Sequence, residues 1–500
     1  MTTSRKPESF VELREQPPPK PASPTGSSAV GDRQAGARKS VAMIVCHGMG
    51  QQVPFETIDN VARILRRADI ERGAPAADIE VITRFVDLGI GKPVGRAEIA
   101  LKHDDADIDV HIYEAYWAPL TAGRISLRQV IAFLLEGAFC GLRTCNQTFL
   151  RWMFGGWQEF PVTHRAFWKL LVALAFVLSL VAMNAAIVAV VASRGLGHDP
   201  GGWPQPALLD AMTADFVLVV IAWLCAGLAL AVAYAEHQRI GENDIGWDRA
   251  SLPVRLGTGL TGVLVWAAIA VTIFAGALLC IELVRAAAGW TTLLAWACTR
   301  ATSPACRLVP FSNALLVIVW ALVVIASWLI RKLLVEYVGD VVAYVNAHEA
   351  SEFHDIRDAI QKTAHDIGAA VYALQRDDRA GPQYSRVVVA GHSLGSVVAY
   401  DMLNRLLLED SWRAHPNVLA RTGSLVTFGS PLDKTAFIFR SQKPIEAEVR
   451  EALAAGIQPL VADRKYRETL SWTNLWAKPD WISGNLIYYD THPPVAAWCV

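Results

Sequence analysis

The pentapeptide Gly391-His392-Ser393-Leu394-Gly395 sets a serine midway between two glycines. That spacing suits a hydroxyl held on a sharp turn, because glycines two positions to either side let the flanking backbone segments approach closely. The chemistry open to such a serine is nucleophilic attack on an acyl carbon, and it makes two demands. A hydroxyl is a poor nucleophile at neutral pH until an imidazole takes its proton, and the imidazole needs a carboxylate to fix its tautomer. The negative charge that develops on the carbonyl oxygen needs preorganised backbone N–H donors.

Asp480 and Asp433 are the candidate carboxylates, each in a turn that follows a strand-like run. Asp480 is preferred, although the ordinary work of an aspartate in such a turn is to cap it. His492 follows Asp480 in the stretch Y-Y-D-T-H-P-P and gives the chain order Ser, Asp, His. A loop histidine ahead of two prolines is as often simply solvated. His392 adjoins the serine and is expected to point elsewhere, and His415 would break the order. His47-Gly48-Met49-Gly50 is the candidate oxyanion loop. Its donor would be the Met49 amide, paired with the Leu394 amide after the nucleophile, and Gly48 would allow close approach.

These groups need a sheet edge to present them. Val387 to Ala390 is the β-branched run of a strand buried on both faces, and a helical pattern starts at once with Leu394, Val397, Val398 and Tyr400. Ser40 to Cys46 has the same buried-strand character, and a helical stretch from Phe55 to Ala68 follows its small-residue turn. Asp78 to Asp87 and Asp107 to Trp117 alternate as half-exposed strands, with a turn-rich Gly89 to Gly95 between them. Ser424 to Gly429 and Thr469 to Trp476 are further strands, and helical periodicity runs from Arg331 to Val345 and on to about Leu374.

Composition adds a second theme. The chain is 53% hydrophobic, with a mean hydropathy of +0.29, too apolar for an ordinary soluble enzyme of 500 residues. Four nearly charge-free segments, Leu170–Ala192, Phe216–Ala235, Leu260–Ile281 and Ala314–Ile330 (from about 312), have the composition of membrane spans. Residues 125–165 read as interfacial helices, with Trp152 and Trp157 at headgroup depth. An even number of crossings puts both flanking parts on one side, and the excess of Arg and Lys on that side predicts that it faces the cytoplasm, in a plasma or inner membrane. Asp215, Glu236 and Glu282 stand at segment ends, which argues against transport. A net charge of −1 gives no support to nucleic-acid binding, and eight cysteines with no C-x-x-C pair suggest neither zinc nor a disulfide framework. No cofactor or metal is expected. Residues 1–38, rich in Pro, Ser and Gly, read as a disordered tail.

The runs Val41 to Gly50 ending in H-G-M-G, V-V-V-A-G-H-S-L-G-S at 387–396, V-T-F-G-S-P at 426–431 and T-N-L-W-A-K-P-D-W-I-S-G at 473–484 resemble the α/β-hydrolase superfamily, in particular its lipase-like serine esterases. The resemblance covers only the parts outside the apolar region. It implies a mostly parallel sheet with flanking helices, and the apolar region at 166–331, read from composition as a four-helix transmembrane insertion, splits it into residues 39–124 and 332–500. It also implies Asp480 as catalytic acid and a histidine further on, next to aromatics, where this chain instead has Ala496-Ala497-Trp498. Two readings follow. One is a membrane-anchored hydrolase of carboxylic esters, with acyl lipids as the substrate class; the other is a non-catalytic membrane scaffold that keeps the fold with an incomplete triad.

Overall fold

The computed structural model describes residues 39–50, 52–73, 80–103, 106–144, 149–160, 252–288, 334–345, 351–376, 381–413, 417–441, 447–477, 480, 483–489 and 496–499, with parts of 168–183, 215–232 and 321–332. The expected N-terminal tail and His492 lie outside these residues.

Ten strands are described: β1 Lys39–Cys46, β2 Val81–Asp87, β3 Pro93–His103, β4 Ala106–Ala115, β5 Phe149–Met153, β6 Gly156–Phe160, β7 Arg386–His392, β8 Thr422–Phe428, β9 Ser471–Trp476 and β10 Ala496–Cys499. Eight of them form one sheet in the order β10-β9-β8-β7-β1-β4-β3-β2. From β10 to β4 every pairing is parallel, and β3 and β2 complete the sheet antiparallel. This is a mostly parallel α/β sheet, as expected. The expected turn holds over Gly89 to Lys92, with positive φ at Gly89 and Gly91, but β3 takes over from Pro93; the alternation Gly95, Ala97, Ile99 there is weak because small residues interrupt it.

Helices cover both faces because the central strands are apolar on both. Helix α1 (Glu56–Glu71) turns Ile58 and Ala62 onto Val45, Ala97, Ile99 and Ile112. On the other face, beside Ala42, Ile44, Cys46, Val387 and Val389, lie residues of α5 (Ser351–Ala373) and α6 (Leu394–Arg413). Burial of large apolar side chains at roughly 1.5–3 kcal/mol each holds these layers together.

Between the two halves, helix α2 (Leu127–Thr144) stops well short of Trp157. Residues 149–160 form an antiparallel hairpin, which corrects the expectation of interfacial helices there. The physical reason is local: Phe154 and Gly155 both have positive φ (52° and 81°), the backbone of a two-residue hairpin turn that follows the right-handed strand twist. Trp152 and Trp157 form a cross-strand pair with ring centroids 5.3 Å apart. The hairpin docks inward through buried Arg151, which donates to Tyr488 O (2.8 Å) and lies 3.8 Å from the Tyr489 ring centroid.

Among the described residues, one of the four apolar segments stands in a helix long and apolar enough to cross a membrane. Helix α3 (Leu252–Ala287) contains the span Thr261–Arg285, 25 residues of mean hydropathy 2.5. Val217–Ala229 is an apolar helix too short for that test, and residues 170–192 and 312–330 lie largely outside the described residues. Only 28% of the apolar window of α3 is buried, and Val263, Trp266, Phe274 and Val284 are exposed. Gly276 permits close contact with Ser179, and Trp223 Nε1 donates to Thr272 Oγ1 (3.0 Å).

Candidate active site

The strands β1, β7, β8 and β9 are parallel, so the residues that follow them emerge at one edge of the sheet. These are His47, Ser393, Gly429 and Asp480. The carboxyl edge of a parallel sheet is where such folds bind ligands.

Ser393 sits between β7 and α6 with φ of +51°, one of few non-glycine residues in the left-handed region. A side chain there is strained and needs surroundings that hold it. They are present. Ser393 N donates to Phe428 O (3.0 Å), and buried Ser396 donates from its hydroxyl to Ser393 O (2.6 Å). Ser396 Oγ is also 2.7 Å from the hydroxyl of buried Ser430, which in turn accepts from Leu432 N (3.3 Å). The serines of S-L-G-S and F-G-S-P are thus one hydrogen-bonded unit beneath the turn. Leu394 is the first residue of α6, so its N–H belongs to the positive, N-terminal end of the helix dipole, where an anion is favoured.

Close approach depends on three glycines. A Cβ on Gly391 would stand 2.5 Å from Gly395 O, and one on Gly395 would stand 2.1 Å from His47 O and 2.3 Å from Cys46 O. A Cβ on Gly48 would lie 3.1 Å from Ser393 Cβ. The expected oxyanion loop is therefore in contact with the serine, with Met49 and Leu394 both buried beside it.

The loop is pinned by His47, whose role was not foreseen. Its buried ring stacks on Trp117 with centroids 4.6 Å apart. Nε2 accepts from Trp117 N (2.9 Å) and Ala118 N (3.2 Å), so Nδ1 carries the proton and donates to Gly48 O (2.8 Å). Burial pushes this imidazole down to about 4, so it is neutral.

The two candidate acids differ. Asp433 is spent on backbone: Oδ2 accepts from Ile487 N (2.8 Å) and Oδ1 from Tyr488 N (3.0 Å), and burial lifts its carboxyl to about 6. Asp480 lies at the sheet edge, its Oδ2 3.9 Å from where a Gly429 Cβ would be. His392, which stacks on Phe428, approaches the same point with Nε2 at 3.6 Å. Desolvation holds the His392 imidazole below the ordinary histidine range, and the Asp480 carboxylate acts against it. Ser393 and Asp480 are thus brought to one edge, whereas the residue expected between them, His492, lies outside the described residues. In sequence His492 precedes β10 rather than following it.

No protein-family model matches this chain, and neither does any curated protein or solved structure.

Two outcomes follow from this geometry. Gly395→Ala should cost about 3 kcal/mol or more, because backbone carbonyls cannot yield to the added methyl. Gly423→Ala, whose Cβ would meet nothing nearer than 3.6 Å, should leave the thermal unfolding midpoint almost unchanged. His47 binds a proton more readily unfolded, near 6.5, than folded, near 4. Stability should therefore fall as pH drops from 6.5 to 4, by about 3 kcal/mol relative to His47→Gln, measured by thermal unfolding across that range.

Proposed function

We propose that this protein is a serine hydrolase of the α/β-hydrolase type that cleaves carboxylic esters, with acyl lipids as its substrate class. The observation that carries the proposal is Ser393 at positive φ between a parallel strand and a helix, with the Gly48 loop against its side chain. Strain at that position has no packing role that a glycine would not fill better, and in this reading it presents the hydroxyl of Ser393, a residue 9% exposed, at the sheet edge.

In this reading Ser393 Oγ attacks the acyl carbon while His492 takes its proton, and Asp480 orients His492. The Met49 and Leu394 amides hold the oxyanion of the tetrahedral intermediate. His492 then returns the proton to the departing alkoxide, and a water activated by the same imidazole releases the acid from the acyl-enzyme. The neutral state of His47 fits this arrangement, since it keeps Gly48 in place without adding a charge.

The membrane part of the proposal is a multi-pass anchor. The four apolar segments would cross the bilayer and leave the catalytic part on the cytoplasmic side. What supports it is the long, apolar and largely exposed α3, together with the positive flanks of the segments. Such an anchor would hold the site beside its lipid substrates.

A fluorophosphonate probe tests the reading. Wild type should be labelled and Ser393→Ala should not. Asp480→Asn should reduce kcat for a short ester about 10⁴-fold, whereas Asp433→Asn should act mainly on the thermal midpoint. A folded wild-type protein that takes no label would instead be a binding protein that keeps the fold.

A further inference from the structure

The oxyanion loop is tied at its far end to a segment almost three hundred residues away. Gly50 N donates to Asp340 Oδ2 at 2.7 Å, in a buried contact. Asp340 is the second residue of helix α4 (Gly339–Val345), which follows directly on a π-helical turn at Leu334–Val338. An aspartate in a first helical turn ordinarily caps its own helix, but here the carboxylate turns outward to the loop. It is 5% exposed, and the Thr121 hydroxyl, which donates to Ala118 O (3.2 Å), lies near enough to help hold its carboxyl charged. Gly50 has φ of +92°, which points its N–H to this acceptor, and a Cβ there would press on the Tyr337 ring at 3.1 Å.

We propose that Asp340 is a positioning residue for catalysis: by holding Gly50 it sets where the Met49 amide stands relative to Ser393. The inference rests on the serine-hydrolase reading above. His47 fixes the start of the loop against the Trp117–Ala118 turn, and Asp340 fixes its end. Met49 lies between the two anchors, so its amide has little freedom while both hold. The two anchors also meet the same piece of chain, because Thr121 belongs to the turn that follows Ala118. Loss of the carboxylate would leave Gly50 N without its acceptor and free the loop at one end, with Ser393 and its immediate supports untouched. Because an oxyanion donor is worth most in the transition state, the loss should fall on kcat rather than on KM. The π turn places Tyr337 and Asp340 together on Gly50, and π turns often occur at functional sites.

The test uses the full chain in detergent or bilayer, with a fluorophosphonate and a short ester as probes. Asp340→Ala should lower kcat and the rate constant for Ser393 labelling by about 10²-fold, with KM changed by less than about threefold. Asp340→Asn, which keeps an acceptor oxygen, should recover to within about tenfold of wild type. Amide exchange at Gly50, read by mass spectrometry, should be slow in wild type and fast in Asp340→Ala. A folded Asp340→Ala with wild-type kcat overturns the proposal. Unprotected exchange at Gly50 in wild type overturns it too, even if the alanine variant does not fold. Wild type that is not labelled at all removes the hydrolase reading and this proposal with it, whereas labelled wild type with an indifferent Asp340→Ala removes this proposal alone.

Discussion

Backbone against backbone is the contact on which this site depends. Where β1 and β7 leave the sheet side by side, the chain after each must pass within van der Waals distance of the other, and no side chain can intervene. Gly391 and Gly395 meet that condition, with hypothetical Cβ positions that would fall 2.1 to 2.7 Å from neighbouring backbone atoms, while Gly48 faces the side chains of His392 (2.9 Å) and Ser393 (3.1 Å). Real Cβ atoms do not tolerate such distances from backbone, so packing density rather than flexibility selects glycine here. Because the glycines bring these segments together, Ser393 can occupy a conformation that costs on the order of 1–3 kcal/mol and still be the stable one.

Beneath that contact lies a layer of buried polar groups, each with a partner. Ser396 and Ser430 join the nucleophile turn to the turn after β8. Thr427 donates to Asn474 Oδ1 (2.9 Å), accepts from Trp472 Nε1 (3.1 Å), and so ties β8 to β9, while Asn474 donates to Gly484 O (2.9 Å). Burying such groups without partners would be costly, and fully paired they specify one arrangement of the loops. His47 belongs to the same layer. Its neutral ring does with two nitrogens what a backbone turn cannot, accepting from one loop and donating to the next.

The parts of this arrangement that were legible in the sequence are those where local pattern and global role coincide. Val387–Ala390 could only be a doubly buried strand, and the G-x-S-x-G that follows leaves little choice of turn, so the elbow and the Gly48 loop were readable. Mostly parallel pairing was what the resemblance of these runs to the α/β-hydrolase superfamily implied. Local pattern failed where small residues blur periodicity, as in β3, and where a hairpin comes soon after an apolar helix, as at Phe149–Phe160. There the turn pair Phe154-Gly155 was the signal, outweighed by the aromatic residues around it. Four apolar segments were legible as composition, and among the described residues one of them stands in a helix that is long enough, apolar and largely exposed. Contacts such as Gly50 with Asp340 or Asp433 with Tyr488 leave no trace in a single sequence, because they join residues that no spacing rule connects.

The pairing of β1 with β7 sets Cys46 opposite Gly391, with the whole apolar region between them in the chain. A ribosome therefore finishes β1, β4 and α1 long before β7 exists. During that interval one side of β1 has no hydrogen-bond partner, and an apolar strand with an open edge is a template for wrong pairing. The heart of the sheet can close only late in synthesis, after the residues between β4 and β7 have been made. The nascent chain therefore spends much of its synthesis as an incomplete half-sheet with an open apolar edge.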